Sequence, residues 1–294
     1  MFDLFEKWDG SPKNGESSSS SNSEVTYSSS SSSSGSSSAQ SNDSYSPSYA
    51  QYGSSFQKTF VLSVGGSVFF NDKLRAPEIA KFCEVINELK REGFSFVLVV
   101  GGGKVARVYQ AGVKALGGNN FDFDEVAIAI TRANAMLFTH TIENVWKDVL
   151  KDPKEAENVL LLGKTPVYGG TFPGQTTDSV AAIIAELLGA DFVNLSNVDG
   201  IFSADPSREP NAKLYKELTH TKMVSLLKAQ ASKPGAHTFI DPHAANLLWR
   251  SRIRGHFING GDLENLKSVV RGQEYRGTIV KTESTSQSDV VLDE

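Results

Sequence analysis

The sequence predicts an α/β protein in which a mostly parallel central sheet lies between two layers of helices. Short apolar runs recur along the chain, and helical periodicities fill most of the gaps between them. This alternation of strands and helices is typical of a parallel sheet. The run 96–100 (Phe-Val-Leu-Val-Val) is apolar without alternation, as expected for a strand covered on both faces. We therefore expect a three-layer αβα sandwich.

The individual elements follow from local patterns. Short runs rich in apolar and β-branched residues predict strands at Phe60–Val64, Phe96–Val100, Asn158–Leu162, Pro166–Tyr168 and Phe192–Leu195. Amphipathic stretches predict helices at Ala76–Glu92, Val105–Leu116, Asp124–Leu137, Ser179–Leu188 and Pro242–Ser251. Cys83 falls among the apolar positions of the first of these helices, which indicates a buried structural thiol.

Composition divides the 294 residues into three parts. Sixteen of the twenty-two residues from Ser17 to Ser38 are serine, and such a segment cannot bury enough apolar surface to offset its ordering entropy. We expect residues 1–57 to be a disordered tail, residues 58–281 to form one folded domain, and residues 282–294 to form a short polar tail.

Charge and hydropathy exclude several classes of protein. The formal net charge is −5 without a basic stripe, which argues against a nucleic-acid partner. No apolar run approaches the length needed to span a bilayer, and Met1–Gly10 lacks the pattern of a secretory signal. The single cysteine cannot form an internal disulfide. We therefore expect a cytoplasmic protein without a membrane span.

Three glycine-rich turns, each placed between a predicted strand and a helical pattern, predict the site. They are 65–67 (Gly-Gly-Ser), 101–104 (Gly-Gly-Gly-Lys) and 169–178 (Gly-Gly-Thr-Phe-Pro-Gly-Gln-Thr-Thr-Asp). In a parallel sheet such turns gather at the carboxyl edge, where free N–H groups and helix N-termini favour anions. The glycine spacing matches neither a P-loop nor a Rossmann fingerprint. A site for several phosphates is predicted, which favours a phosphotransferase over a simple binder.

The turns differ in what they indicate individually. Taken alone, 65–67 is best explained as an ordinary tight turn, whereas three successive glycines at 101–103 indicate that something approaches the backbone closely. Lys104 and Arg107 follow this second turn and would share one helix face about one turn apart. They are candidates for binding an oxyanion, and a solvated helix face is the alternative.

A further candidate segment, 196–206, follows the predicted strand 192–195. Its Asp-Gly pair at 199–200 indicates a tight turn. The aromatic side chain at 202 would cover a purine ring, and the polar residues at 196, 197 and 205 would supply contacts. A surface hairpin with one buried aromatic residue explains the segment equally well.

The order of these motifs resembles that of the amino acid kinase superfamily. The motifs are 65–67, Gly-Gly-Gly-Lys-x-x-Arg (101–107), Ile-Thr-Arg-Ala-Asn-Ala (130–135), 169–178, Asn-Val-Asp-Gly-x-x-x-Ala-Asp-Pro (197–206) and Ile-Asp-Pro-x-Ala-Ala (240–245). The match is closest to the archaeal type of uridylate (UMP) kinases and covers residues 59–280. It implies an amino acid kinase-like fold, transfer of the γ-phosphate of ATP to UMP with Mg²⁺ in pyrimidine nucleotide biosynthesis, and a homo-oligomer, a hexamer made from dimers.

The resemblance also implies a role for individual positions. Residues expected at ATP are Gly65, Gly66, Ser67, Gly103, Arg107, Ser196, Asn197, Phe202 and Asp205. Residues expected at UMP are Gly102, Asp124, which would hold the ribose, and Thr171, Phe172, Pro173, Gly174, Gln175, Thr176 and Thr177, which would wrap the base. The family more often has threonine at 196 and tyrosine at 202.

The expected reaction needs no catalytic base, because a phosphate oxygen is already anionic at neutral pH. Cations must instead help to offset the repulsion between two polyanions. Lys104 and Arg107 are the first catalytic candidates, and Lys233, in a Ser-Lys-Pro-Gly segment, is an alternative lysine. Lys58 is excluded, because it lies seven residues before Gly65, more than about 20 Å along a strand.

Two other functions remain open. A sibling kinase would act on another small phosphate or carboxylate, although isopentenyl phosphate kinases rely on a histidine after the second glycine turn and 104–110 contains none. A non-catalytic nucleotide sensor or storage protein would use the same fold. The stretch Asp122–His140 is apolar enough on one side to supply a subunit interface, and a partner for the N-terminal tail is unknown.

Overall fold

The computed structural model describes residues 58–71, 73–231, 238–282 and 290–292. The predicted tail at 1–57 and most of the predicted tail at 282–294 lie outside the described residues. The strands are β1 (Thr59–Val64), β2 (Ser95–Val100), β3 (Val167–Tyr168), β4 (Asp191–Ser196), β5 (Tyr215–Thr219), β6 (Gly255–Asn259), β7 (Thr278–Lys281) and β8 (Val290–Leu292). The helices are α1 (Gly66–Phe69), α2 (Ala76–Arg91), α3 (Gly103–Ala115), α4 (Asn120–Phe138), α5 (Glu155–Leu161), α6 (Thr177–Leu188), α7 (His220–Ala231), α8 (Pro242–Arg250) and α9 (Leu263–Arg271).

The strands of the described chain form one sheet in the order β3-β2-β1-β4-β6-β7-β5-β8. The run from β3 to β6 is parallel throughout. β7 is antiparallel to β6, and β5 runs parallel to β7. β7 and β5 therefore begin at the edge where the parallel strands end, which brings their first residues toward the predicted site.

The sheet is covered by helices on both faces, as predicted. Phe60, Leu62 and Val64 of β1 belong to one apolar cluster with residues of α2, α4 and α9, whereas Val61 belongs to a second cluster with residues of α5 to α8. This burial on both sides explains why the strand sequences are continuously apolar. Cys83 is completely buried in α2, and burial, with a smaller contribution from Glu84, raises the pKa of its thiol to about 12.

The strand prediction for Asn158–Leu162 is wrong, because most of this run forms the end of helix α5. Ala156 and Val159, three residues apart, are buried, whereas Leu161 is 60% exposed. An apolar run of a few residues suits a buried strand or a helix end equally well, and the sequence period does not separate the two. Within the described part of the chain, no helix has the length and apolar character needed to cross a membrane.

Candidate active site

The glycine-rich turns meet at one edge of the sheet, as predicted. The parallel neighbours β1, β2 and β3 lead at their carboxyl ends into 65–67, 101–104 and 169–170. The N–H of Gly101 donates to the carbonyl oxygen of Val64 at 2.9 Å. The N–H of Gly65 donates to the carbonyl oxygen of Leu195, in β4, at 2.8 Å. The first turn is therefore held between the second turn and the end of β4.

Backbone packing within the protein leaves no room for a side chain at glycines of these turns. A Cβ atom on Gly66 would lie 2.0 Å from the nitrogen of Gly103. Gly103 has φ +64°, and a Cβ atom there would lie 2.2 Å from the carbonyl oxygen of Phe70. Neighbouring backbone thus approaches the second turn closely at Gly103, and close approach of a ligand to this turn stays a prediction. Gly102, Gly103 and the side chain of Ser67 stay partly exposed at the resulting rim.

The cationic candidates lie beside this rim. Lys104 and Arg107 are exposed in the first turns of α3, three residues apart as predicted. Lys58 instead forms an ion pair with Asp191 at the amino end of β4, with 3.4 Å between Nζ and Oδ2, in agreement with its exclusion from the site. Lys233 lies outside the described residues.

α4 anchors the third turn through two adjacent side chains. The Thr131 hydroxyl oxygen accepts a hydrogen bond from the N–H of Gly170 at 2.7 Å. The Arg132 guanidinium donates through Nε to the Gly170 carbonyl oxygen and through Nη2 to the Thr171 carbonyl oxygen, both at 3.0 Å. One helix turn thus fixes the beginning of the segment 171–177.

Asp124, also in α4, holds the middle of the same segment. Its Oδ2 accepts a hydrogen bond from the N–H of Gly174 at 2.7 Å. Within the segment, the Thr171 hydroxyl donates to Oε1 of Gln175 at 3.0 Å. Thr176 caps α6, since its hydroxyl oxygen accepts from the N–H of the third helical residue at 3.1 Å. The segment is therefore a loop with bonded ends and a bonded centre.

The remaining residues of this loop differ in exposure. Phe172 is 64% exposed, and Pro173 and Thr177 are half-buried. The large exposed ring of Phe172 is accessible to a ligand or to a neighbouring subunit. We name residues 171–177 the acceptor loop, after the role proposed for them below.

Asn134 connects the second turn to the same helix. Its Nδ2 donates to the carbonyl oxygen of Gly101 at 3.0 Å and to that of Gly102 at 3.3 Å. The sequence reasoning quoted Thr131, Arg132 and Asn134 only as part of a family motif and gave them no role. The available signal was three polar residues in one turn of the otherwise apolar second half of α4.

Asp178 is another residue to which the sequence analysis gave no individual role. Its Oδ1 accepts hydrogen bonds from the Ser63 hydroxyl at 2.6 Å and from Nδ2 of Asn194 at 3.1 Å. Burial raises the pKa of the Asp178 carboxyl; the Asp241 carboxylate adds to the rise, and the hydrogen bonds offset it only in part. Asp241 in turn accepts a hydrogen bond from the Ser179 hydroxyl. A polar cluster thus lies within the apolar layers directly below the rim.

The turn after β4 lies at the same edge. The Ser196 hydroxyl bonds with the backbone of Val198, accepting from its N–H at 3.3 Å and donating to its carbonyl oxygen at 3.2 Å. Asn197 is exposed. Ser196 therefore shapes the turn with its own hydroxyl, and Asn197 presents its side chain to solvent.

A hairpin follows this turn, and its second arm, at 213–215, lies beyond the segment 196–206 in which a hairpin was predicted. Phe202 pairs with Leu214 across an antiparallel bridge, and its side chain is only half-buried. Oδ1 of Asp205 accepts from the N–H and hydroxyl of Ser207 at 2.9 and 2.6 Å, and its Oδ2 lies 3.5 Å from Nε of Arg208. The aromatic ring of this hairpin is half-buried, not fully buried as the hairpin explanation supposed, and its contact with a purine stays a prediction. We name residues 196–215 the donor loop, again after the role proposed for them below.

The edge as a whole combines partly exposed glycine backbone, two exposed cations and two ordered loops. Such an arrangement suits ligands with phosphate groups, since backbone N–H groups and cations stabilise anionic oxygens. Loops on either side of the rim allow two ligands to bind with their phosphates facing each other.

Comparison with known proteins agrees with this architecture. The model of the amino acid kinase family matches residues 58–259. The chain is 40% identical over 221 residues to a uridylate kinase from Archaeoglobus fulgidus, which covers 75% of this chain and 98% of the relative. It is also 40% identical over 225 residues to a uridylate kinase from Pyrococcus abyssi, with the same coverage of 75% and 98%.

Solved structures give the same result. The crystal structure of the uridylate kinase from Archaeoglobus fulgidus superposes with a TM-score of 0.67 at 37% identity and covers 75% of this chain and 99% of that one. The UMP kinase from Bacillus anthracis, at 17% identity, shares the fold with a TM-score of 0.63, covering 81% and 99%. Fold, site motifs and relatives agree, and the chain belongs to the amino acid kinase family.

Proposed function

We propose that this chain is a UMP kinase, which transfers the γ-phosphoryl group of ATP to UMP and releases UDP and ADP. The observation that carries this proposal is the acceptor loop, held by Asp124 and Arg132 beside the glycine rim in a chain 40% identical to two archaeal uridylate kinases. The acceptor loop gives a pyrimidine nucleotide an ordered surface to pack against. The backbone N–H groups of the rim would bind the phosphate of that nucleotide.

We assign the residues around the rim to its two sides as the resemblance to the amino acid kinase family implies. On the ATP side are Gly65, Gly66, Ser67, Gly103, Ser196, Asn197, Phe202 and Asp205. On the UMP side are Gly102, Asp124 and the acceptor loop. One oxygen of Asp124 already binds Gly174, so the other would accept from the ribose hydroxyls. Phe202, half-buried on the hairpin, would stack against the adenine.

The chemistry is a direct displacement at phosphorus. An anionic oxygen of the UMP phosphate forms a bond to the γ-phosphorus of ATP, while the bond from that phosphorus to the β–γ bridging oxygen breaks. No proton must be removed from the acceptor, so no general base is required. The protein acts by alignment and by neutralising charge.

Charge neutralisation falls to Lys104, Arg107 and the rim amides in this proposal. Two unit charges about 4 Å apart repel by roughly 4 kcal/mol at an effective dielectric constant near 20. The two exposed cations of α3 lie beside the turn that would face both phosphates. Lys233 is the alternative lysine.

We further propose that Mg²⁺ accompanies ATP. The described residues contain no group of three or more His, Cys, Asp or Glu side chains that would hold a metal ion on its own. The oxygen ligands of the ion would then come mainly from the ATP phosphates. The hydroxyl of Ser67, in the glycine turn 65–67, would be a further oxygen ligand. Bound there, Mg²⁺ would lower the negative charge on the transferring group.

We also propose a cytoplasmic homo-oligomer, a hexamer made from dimers. The apolar side chains exposed on α3 and α4 support an interface with a second copy: Val105, Val108, Tyr109, Phe121 and Met136. The buried thiol of Cys83 fits reducing surroundings. Light scattering tests the assembly, and a monomer at micromolar concentration would contradict it.

The test of the function is release of ADP from ATP in the presence of a panel of acceptors. We expect rapid release with UMP and slow release with CMP, isopentenyl phosphate and N-acetylglutamate. Phosphorylation of another acceptor but not UMP would overturn the substrate assignment. Nucleotide binding without ADP release would identify a sensor or storage protein.

A further inference from the structure

The donor loop is tied to the rest of the sheet through the carboxylate of Asp199. Its Oδ2 lies 2.9 Å from Nη2 of Arg276, in the residue pair that precedes β7. Its Oδ1 accepts a hydrogen bond from Nδ2 of Asn259, at the end of β6, at 3.0 Å. Both oxygens of one carboxylate are therefore engaged by elements outside the loop. Asp199 lies between the turn after β4 and the hairpin.

Arg276 is itself held in place from α9. Its N–H donates to Oδ1 of Asn265 at 2.8 Å, and its carbonyl oxygen accepts from Nδ2 of Asn265 at 2.6 Å. The backbone of Arg276 is thus fixed on both sides, although 70% of its side chain is exposed. The guanidinium of Arg276 therefore reaches Asp199 from a backbone that is held in place.

The strand that follows Arg276 closes the base of the hairpin. The buried hydroxyl of Thr278 accepts from the N–H of Ile201 at 2.8 Å and donates to the carbonyl oxygen of Tyr215 at 2.5 Å. A Cβ atom on Gly200 would lie 2.7 Å from the same hydroxyl. β7 therefore holds the hairpin at its base, and Arg276 holds the turn in front of it.

We propose that Arg276 is a positioning residue for the donor nucleotide, acting through Asp199. The pair fixes the turn that presents Ser196 and Asn197 and the start of the hairpin that presents Phe202. The inference rests on the proposed function, because it takes the donor loop to be the ATP side. Its consequence is that loss of the pair weakens ATP binding and leaves UMP binding and the chemical step unaffected.

Steady-state kinetics of the full chain test this inference. Arg276→Ala should raise KM for ATP about fivefold, as expected for a largely exposed ion pair, with kcat and KM for UMP changed by less than about twofold. Arg276→Lys should restore part of the loss, because lysine keeps the charge but not the guanidinium geometry. Arg250→Ala is the matched control, because Arg250, at the end of α8, is 59% exposed and forms an ion pair of 2.6 Å with Glu186. Its replacement should leave KM for ATP unchanged.

A double-variant cycle separates positioning from direct contact with ATP. Asp199→Asn keeps an oxygen acceptor for Asn259 but removes the charge that Arg276 binds. If Arg276 acts only through Asp199, the double variant should have the same KM for ATP as Asp199→Asn. A KM for ATP in the double variant above that of Asp199→Asn would show that Arg276 acts on the nucleotide independently of Asp199 and would overturn the positioning role. An unchanged KM for ATP in Arg276→Ala would overturn it as well.

Calorimetric titration with Mg-ATP keeps this inference distinct from the proposed function. If the wild-type chain binds ATP but does not phosphorylate UMP, the acceptor assignment fails. The Kd for Mg-ATP of wild type, Arg276→Ala and Arg250→Ala then decides the positioning role by the same fivefold criterion. Equal Kd values for all three would refute it.

Discussion

Replacing Arg132 with methionine should weaken UMP binding while leaving ATP binding intact. Arg132 donates two hydrogen bonds of 3.0 Å from α4 to the carbonyl oxygens of Gly170 and Thr171, where the acceptor loop begins. Methionine keeps a long apolar side chain but has no charge and no donor. The change therefore removes the anchor with little loss of packing.

The expected size of the effect follows from these two bonds. A hydrogen bond to a charged group contributes roughly 1.5–3 kcal/mol. The Arg132 side chain is only half-buried, so water replaces part of what is lost and a net loss of about 2 kcal/mol is reasonable for the pair. The apparent affinity for UMP decreases when a smaller fraction of the molecules has an ordered acceptor loop. Since 1.4 kcal/mol is a factor of ten, KM for UMP should rise by up to about 30-fold.

The assay is the initial rate of ADP formation with UMP varied at saturating ATP, followed by the converse. Arg132→Lys, which retains one donor group, should fall between wild type and Arg132→Met. Thermal unfolding establishes that the variants fold. A KM for UMP within about twofold of wild type would refute the reasoning. An equal rise in both KM values would show that Arg132 supports the whole edge and not the acceptor loop.

Three further predictions address the rim and the cluster below it. Gly66→Ala should lower the free energy of unfolding by more than about 3 kcal/mol and abolish turnover, because its Cβ would lie 2.0 Å from backbone. Gly112→Ala in α3, where nothing lies within 4 Å, should stabilise the protein by about 0.5–1 kcal/mol, and denaturant unfolding compares the two. Lys104→Ala and Arg107→Ala should each lower kcat by on the order of 10²-fold with unchanged thermal unfolding, and full activity of both would remove these residues from the mechanism. For Asp178, a raised pKa in the folded state means that the unfolded chain loses its proton first, so this group destabilises the fold as pH rises above its ordinary pKa of about 4. The Tm of Asp178→Asn should therefore increase relative to wild type between acidic and neutral pH, while kcat falls; a constant Tm difference across that range would contradict the raised pKa.

The glycine turns show which features of the structure can be predicted from the local sequence. Glycine clusters after apolar runs, followed by helical periodicity, predicted the carboxyl edge of a parallel sheet, and this prediction is confirmed. The same local reasoning failed at 158–162, because so short an apolar run has no period that separates a strand from a helix end. The glycines at 101–103 were interpreted as allowing close approach, and part of that approach is made by the protein itself: a Cβ atom would lie 2.7 Å from the nitrogen of Gly66 at Gly101 and 2.2 Å from the carbonyl oxygen of Phe70 at Gly103.

Composition, periodicity and motif order were thus sufficient for the fold class, the family and the sheet edge at which the glycine turns meet. These properties depend on residues adjacent in the chain, where φ/ψ preference and hydrophobic period act directly. The anchoring roles of Arg132, Asp178 and Arg276 emerged only from the tertiary structure. Each depends on partners that are distant in sequence, such as Asp199 for Arg276, and only packing of the sheet and helices determines which distant groups come within hydrogen-bonding distance.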